Sequence, residues 1–227
     1  MTAISNETIQ LRSADGFEFG VYQARPEGSP RGAVVVIQEI FGVNDHIRRV
    51  ADGYAADGYL ALAPRIFDRV EPGIELGYGE SDMGRGIELA FQKLDHAQTL
   101  LDLQATVDLA AAAGRVGVVG YCFGGLLAWR AACQVNGVAA AVCYYGGGIA
   151  REAELEPRCP VMMHFGERDA HIPISDVETI RAAQPDASVF VYPADHGFNC
   201  DQRGSFDADS AALARRRTLE FFHTRLR

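Results

Sequence analysis

Apolar and polar positions alternate along residues 8–12 and again along 17–23, on either side of Asp15-Gly16. That period-two pattern predicts an opening β-hairpin. A polar connection from Pro26 to Gly32 leads into Ala33-Val-Val-Val-Ile-Gln38, an unbroken β-branched run of the kind carried by a strand covered on both faces. Asn44 or Asp45 then occupies an N-cap position before a helical pattern that runs to about Asp57. Strand signals recur at Tyr59–Ala63, Arg115–Val119, Val138–Tyr144, Pro160–Phe165 and Ser188–Tyr192, with segments of helical composition between them. Helices are expected over about 87–94 and 97–112, and a last one from about Asp207 to Phe222 with Leu213, Leu219 and Phe222 as its inward stripe. Strands alternating with helices predict an α/β fold, a mostly parallel central sheet with helices on both faces. Pro64 to Gly86 interrupts the rhythm with glycine and acidic residues, and a stretch of that kind reads as a lid or pocket wall.

Composition narrows the picture. The length of 227 residues suits one domain over 1–227, and no repeat, linker or low-complexity segment divides it. No apolar run approaches the roughly 18 residues of a membrane span. The start, Met-Thr-Ala-Ile-Ser-Asn-Glu-Thr, lacks a basic segment followed by an apolar core, so a cytoplasmic location is expected. A net charge of −9 repels phosphates, which argues against nucleic acid and anionic membrane as partners. A small molecule is the expected partner, with the chain a monomer or homodimer. The five cysteines are odd in number and form no Cys-x-x-Cys pair, so neither a disulfide framework nor a zinc ribbon is indicated. Cys133, Cys143 and Cys159 read as packing thiols.

Cys122 differs from these. Gly120-Tyr-Cys-Phe-Gly124 lies directly between a strong strand and the helix-like run from Gly125. A nucleophile presented on so sharp a turn sits in a strained conformation and needs glycine neighbours where strand and helix pass closely. The positive end of the helix also favours a thiolate there. Taken alone, the pentapeptide also leaves room for a structural cysteine in a glycine-rich crossing, the less favoured of the two readings, and its partners decide the matter. Asp169 follows the strand ending at Phe165, and His196 follows the one ending at Tyr192. Nucleophile, acid, histidine is the chain order of α/β-hydrolases. His196 would hold the proton of Cys122 while Asp169 fixes its tautomer. Phe123, next after the nucleophile, and Ile40, in the loop after Ala33–Gln38, supply the two backbone donors of an oxyanion hole. Glu39 beside Ile40 is a carboxylate near the nucleophile that must be paired or protonated. Glu167 and Asp195 read as solvated or local hydrogen-bonding groups, His164 as a core residue, His171 as a pocket or surface residue, and His46 and His96 as structural. None of these histidines has zinc-site spacing.

The chain resembles the dienelactone hydrolase (carboxymethylenebutenolidase) family from about residue 30 to its end. The resemblance rests on Gln38-Glu-Ile-Phe-Gly-Val-Asn44 with His46-Ile-Arg, Gly120-Tyr-Cys-Phe-Gly-Gly125, Tyr144-Tyr-Gly-Gly, the Asp169 loop, and Gly197-Phe198 after His196. It implies an α/β-hydrolase fold, catalysis by Cys122, Asp169 and His196, and a Glu39 that contacts the nucleophile and governs its protonation. It also implies a pocket lined by Tyr144 or Tyr145, and both are taken with Phe198 as substrate-binding candidates. Members acting on dienelactones hold the substrate carboxylate with arginines. Here Cys200 stands where one is expected, Arg85 only approximately meets the other, and Arg203 is either a substitute or a surface charge. The expected activity is therefore cleavage of a small ester or lactone through an acyl-thioester, with no metal or organic cofactor. A non-catalytic ligand-binding member of the fold, and a thiol redox protein using Cys122 and Cys200, are the two other readings these residues allow.

Overall fold

The computed structural model describes residues 4–227. Eight strands form one sheet: β1 Ile4–Arg12, β2 Glu18–Pro26, β3 Ala33–Ile37, β4 Leu60–Pro64, β5 Val116–Tyr121, β6 Val138–Tyr144, β7 Val161–Gly166 and β8 Ser188–Tyr192. Their order across the sheet is β1-β2-β4-β3-β5-β6-β7-β8. The hairpin β1-β2 is antiparallel and β2 joins β4 antiparallel, whereas every pairing from β4 to β8 is parallel. Six helices surround the sheet: α1 Asp45–Ala56, α2 Glu80–Glu88, α3 His96–Ala110, α4 Phe123–Gln134, α5 Ile174–Ala183 and α6 Ala208–Arg225. Among the described residues no helix is long and apolar enough to cross a membrane.

Strand β5 shows how the layers arise. A Cβ on Gly117 would meet the Phe222 ring of α6 at 2.7 Å, and one on Gly120 would meet the Gly124 carbonyl oxygen of α4 at 1.8 Å. Residues of opposite parity point to opposite faces of a strand, so α4 and α6 cover the two faces of the sheet. The interior strands β3, β4 and β5 are buried at every position, which is why their sequences show continuous apolar runs.

Three local expectations are corrected. The first helix after the Pro64–Gly86 stretch starts at Glu80 rather than about residue 87, and one wide turn, Leu89–Lys93, carries it to its end. Gly84 and Gly86 look like helix breakers in the sequence, yet Gly86 belongs in the helix because its Cβ would lie 2.3 Å from the Ile40 carbonyl oxygen. In α6 the fully buried stripe is Ser210, Ala214, Thr218 and Phe222, four residues apart, while Leu213 and Leu219 sit half-buried beside it. The polar members are held inside by partners: Thr218 Oγ1 lies 2.7 Å from Tyr144 Oη and 3.1 Å from His164 Nε2. The hairpin strands extend beyond the alternating segments, since β2 is almost wholly buried between β1 and β4 and so loses its alternation.

Gly124→Ala would press a methyl to 2.4 Å from the Ile37 and Gln38 carbonyl oxygens, whereas Gly84→Ala on exposed α2 meets nothing within 4 Å. Urea unfolding should show Gly124→Ala destabilised by roughly 3 kcal/mol or more, and Gly84→Ala neutral or stabilised by up to about 1 kcal/mol. Equal effects at the two positions would contradict the close-approach account.

Candidate active site

The chain leaves β5 and enters α4 within one residue, and that residue is Cys122, with φ 55° and ψ −116°. A non-glycine residue in this region carries strain, and the surroundings hold it there. Cys122 N–H donates to the Tyr144 carbonyl at 3.0 Å, and the Gly125 and Leu126 N–H groups donate back to the Cys122 carbonyl. Cβ atoms on Gly120, Gly124 and Gly125 would all fall within 2.6 Å of backbone. The sulfur is thereby fixed at the carboxyl end of the parallel strands, where the β7 and β8 loops also gather.

Those two loops are tied by backbone. Glu167 N–H donates to the Tyr192 carbonyl at 2.7 Å and Arg168 N–H to the Ala194 carbonyl at 3.0 Å. Asp169 Oδ1 accepts from the His171 and Ile172 N–H groups, leaving Oδ2 to take the His196 Nδ1 contact at 2.7 Å. His196 Nε2 in turn lies 3.1 Å from Cys122 Sγ. The Tyr145 ring, with φ 36°, meets the imidazole edge-on at 5.1 Å and limits its rotation. Burial lowers the His196 pKa, but the Cys122 sulfur and the Asp169 carboxylate outweigh it and raise the value to about 10. Glu167 and Asp195 make no bond to this imidazole, and Asp195 faces Arg168 at the surface.

Ile40 and Phe123 both line the cavity in front of Cys122, and neither N–H has an acceptor among the described residues. Glu39 is buried and points elsewhere than expected: Oε2 accepts from Tyr78 Oη at 3.2 Å, Oε1 faces Arg203 Nη1 at 3.6 Å, and no hydrogen bond runs to Cys122. Arg203 is therefore a cavity residue rather than a surface charge, and its guanidinium occupies the space a Cβ on Gly197 would need, 2.5 Å away. Tyr144, Tyr145 and Phe198 are fully buried and stack behind the site instead of lining the cavity. Arg85 is outside the cavity too, in ion pairs with Glu71 and Glu88.

Sequence reasoning passed over Tyr78, which secures Glu39 and Asn44 from within the Pro64–Gly86 stretch, and nothing local marks it. It also passed over Met83, Ile87 and Phe91, which form the cavity wall on that side. Their spacing of four residues was a readable signal of one helical face. Among the described residues, Glu39, His46 and Cys200 have donor atoms within 4.8 Å of one another. The Arg203 guanidinium already opposes a cation at Glu39, and burial pushes the Cys200 thiol up to about 11, so this cluster suits a polar anchor better than a metal site. All five cysteines are free thiols.

The family model of the dienelactone hydrolase family matches residues 19–226. A Synechocystis sp. protein named "putative carboxymethylenebutenolidase" is 39% identical over 249 aligned positions, covering 100% of this chain and 97% of its own. The carboxymethylenebutenolidase of Pseudomonas putida is 32% identical, with 95% of each chain covered. The crystal structure of a "putative dienelactone hydrolase" from Klebsiella pneumoniae subsp. pneumoniae superposes with a TM-score of 0.87 at 33% identity, covering 97% of this chain and 99% of its own.

The charge coupling between His196 and Cys122 has a direct readout. In the intact protein the His196 imidazolium should persist through pH 8, and in Cys122→Ala its titration should move down towards the ordinary histidine value of about 6.5. Imidazole NMR shifts followed against pH test this, and an unmoved midpoint would show that the sulfur carries no charge in the pair.

Proposed function

This chain belongs to the dienelactone hydrolase family and is a hydrolase of esters or lactones, and from that premise we propose that Cys122, His196 and Asp169 carry out the cleavage through an acyl-thioester. The supporting observation is the unbroken line from Cys122 Sγ to His196 Nε2, 3.1 Å, and from His196 Nδ1 to Asp169 Oδ2, 2.7 Å. In this scheme His196, whose pKa the neighbouring sulfur and the Asp169 carboxylate raise, holds the shared proton, and the sulfur attacks as a thiolate. Attack on the carbonyl carbon forms the C–S bond and moves an electron pair onto the carbonyl oxygen, which the free Ile40 and Phe123 N–H groups receive. Collapse re-forms the carbonyl and breaks the C–O bond. His196 Nε2–H then protonates the departing oxygen. Water, deprotonated by the now neutral His196, attacks the thioester, and the thiolate–imidazolium pair returns with the carboxylic acid product. Asp169, its oxygens held by two backbone N–H groups and the imidazole, orients the ring and fixes its tautomer.

A thiolate leaves as readily as it attacks, so an amide adduct reverts, whereas an enol ester or lactone expels a stabilised enolate and goes forward. The cavity of about 450 Å³ holds a small substrate of this kind. Glu39 has a positioning role in this scheme: buried between Tyr78 and Arg203, it sets the field beside the sulfur and anchors the loop bearing the Ile40 N–H.

Cys122→Ala should lower kcat on activated esters by roughly 10⁴-fold or more with an unchanged circular dichroism spectrum, and Asp169→Asn by a similar factor. Rapid quench and mass spectrometry of the intact enzyme should find the acyl group on the peptide containing Cys122. Undiminished turnover in Cys122→Ala would overturn the assignment. Tight retention of ligand with no turnover in the native enzyme would instead favour a binding protein.

A further inference from the structure

The cavity extends well past the reacting sulfur. Cys122, Leu126 and Arg130 all line it and are spaced four residues apart along the start of α4, so they share one face of that helix. Eight residues at the α-helical rise put Arg130 about 12 Å from Cys122. Between these ends the lining is apolar: Phe123 and Leu126 from α4, Met83 and Ile87 from α2, and Phe91, which packs edge-on against Phe123 at 5.4 Å. Ile87 is 42% exposed and Phe91 is 55% exposed, an unusual degree for side chains of this size, and both face the trench.

The far end is charged, and its charges are unevenly paired. Arg130 Nε donates to Glu152 Oε2 at 2.9 Å, its Nη2 bonds Glu152 Oε1, and its Nη1 contacts His96 Nδ1. Glu152 is consequently neutralised, and its pKa is lowered chiefly by the Arg130 bond. Arg203, at the near end, faces Glu39. Arg151 also lines the cavity, and among the described residues its side chain has neither an ion pair nor a hydrogen bond. An unpaired guanidinium at the mouth of an apolar trench, in a chain of net charge −9, is a site for an anion that enters with apolar surface attached.

We propose that Arg151 binds a terminal carboxylate of the substrate, and that the substrate is an elongated, amphiphilic ester or lactone whose apolar stretch lies along α4 between the reacting carbonyl and that carboxylate. The proposal rests on Cys122 marking the reacting end of the cavity, as argued above. It assigns substrate selection to Arg151, in the loop after β6, and withholds it from Arg85, whose guanidinium is occupied by Glu71 and Glu88.

The test compares mono-4-nitrophenyl esters of straight-chain diacids, from succinate to sebacate, with the methyl-capped neutral ester of each length. The carboxylate should confer no advantage on the shortest ester, and about a tenfold higher kcat/KM at the length that spans the trench. That charged-to-neutral ratio should fall towards one in Arg151→Gln, persist in part in Arg151→Lys, and survive Arg85→Gln. A ratio near one at every length, or one that survives Arg151→Gln, overturns the proposal. The same pairs are titrated calorimetrically into Cys122→Ala and into Cys122→Ala/Arg151→Gln, where the preference for the free carboxylate should appear in the first and vanish in the second. Binding is thus read without chemistry. An intact preference in Cys122→Ala with no turnover in the native enzyme would refute the thioester mechanism and leave the subsite standing, and turnover without the preference would do the reverse.

Discussion

There is no room at the junction of β5 and α4. Three glycines, 120, 124 and 125, stand where any Cβ would overlap backbone, and the residue between strand and helix is forced to φ 55°. Everything else at the site is placed relative to that crowded turn. The helix can start at once only because its first turn rests against the Ile37 and Gln38 carbonyls at the end of β3, and the loop leaving β3 is thereby brought beside the sulfur, with Ile40 lining the cavity. Gly86 repeats the device from the other side, seating α2 directly on the Ile40 carbonyl and completing the apolar wall. Strain at one residue is thus held by packing distributed over three elements.

Charge is organised around the same point. Two backbone hydrogen bonds between the β7 and β8 loops fix the separation of Asp169 and His196, so the short carboxylate–imidazole contact does not depend on side-chain chance. The imidazole is nearly enclosed, and burial alone would favour its neutral form. The adjacent sulfur and carboxylate drive it the other way, up to about 10. His164 is the contrast within the same fold. Fully buried between Tyr192 Oη and Thr218 Oγ1, it has no anion beside it, and burial with the nearby Arg217 charge takes it down to about 3.

The order of strands and helices was legible because short apolar runs with valine and isoleucine, clearest in β3 and β5, alternate with segments of helical composition. Val138–Tyr144 and Ser188–Tyr192 were read to the residue. Cys122, Asp169 and His196 were legible because each follows directly on such a strand, so chain position alone carries them to one end of the sheet. The misplaced start of α2 has the opposite cause: Gly84 and Gly86 carry low helix propensity, and the contact that overrides it, with the Ile40 carbonyl, is long-range. Tyr78, Arg151 and the partners of Arg85 were likewise invisible, since an ion pair or its absence depends on side chains brought together from distant segments. The resemblance pointed to Tyr144, Tyr145 and Phe198 as lining residues, and the structure shows them one layer further back, shaping the imidazole's surroundings.

In the proposed mechanism both groups that receive the reacting oxygen are main-chain amides, and this has an evolutionary consequence. Ile40 and Phe123 both line the cavity, and their N–H groups are positioned by the backbone of a loop and a helix start. Descendants of this scaffold can therefore exchange isoleucine or phenylalanine for other shapes, and change which molecules fit, without rebuilding the electrostatics of the reaction. On that mechanism selectivity and chemistry are carried by different atoms of the same residues, so the two can drift independently.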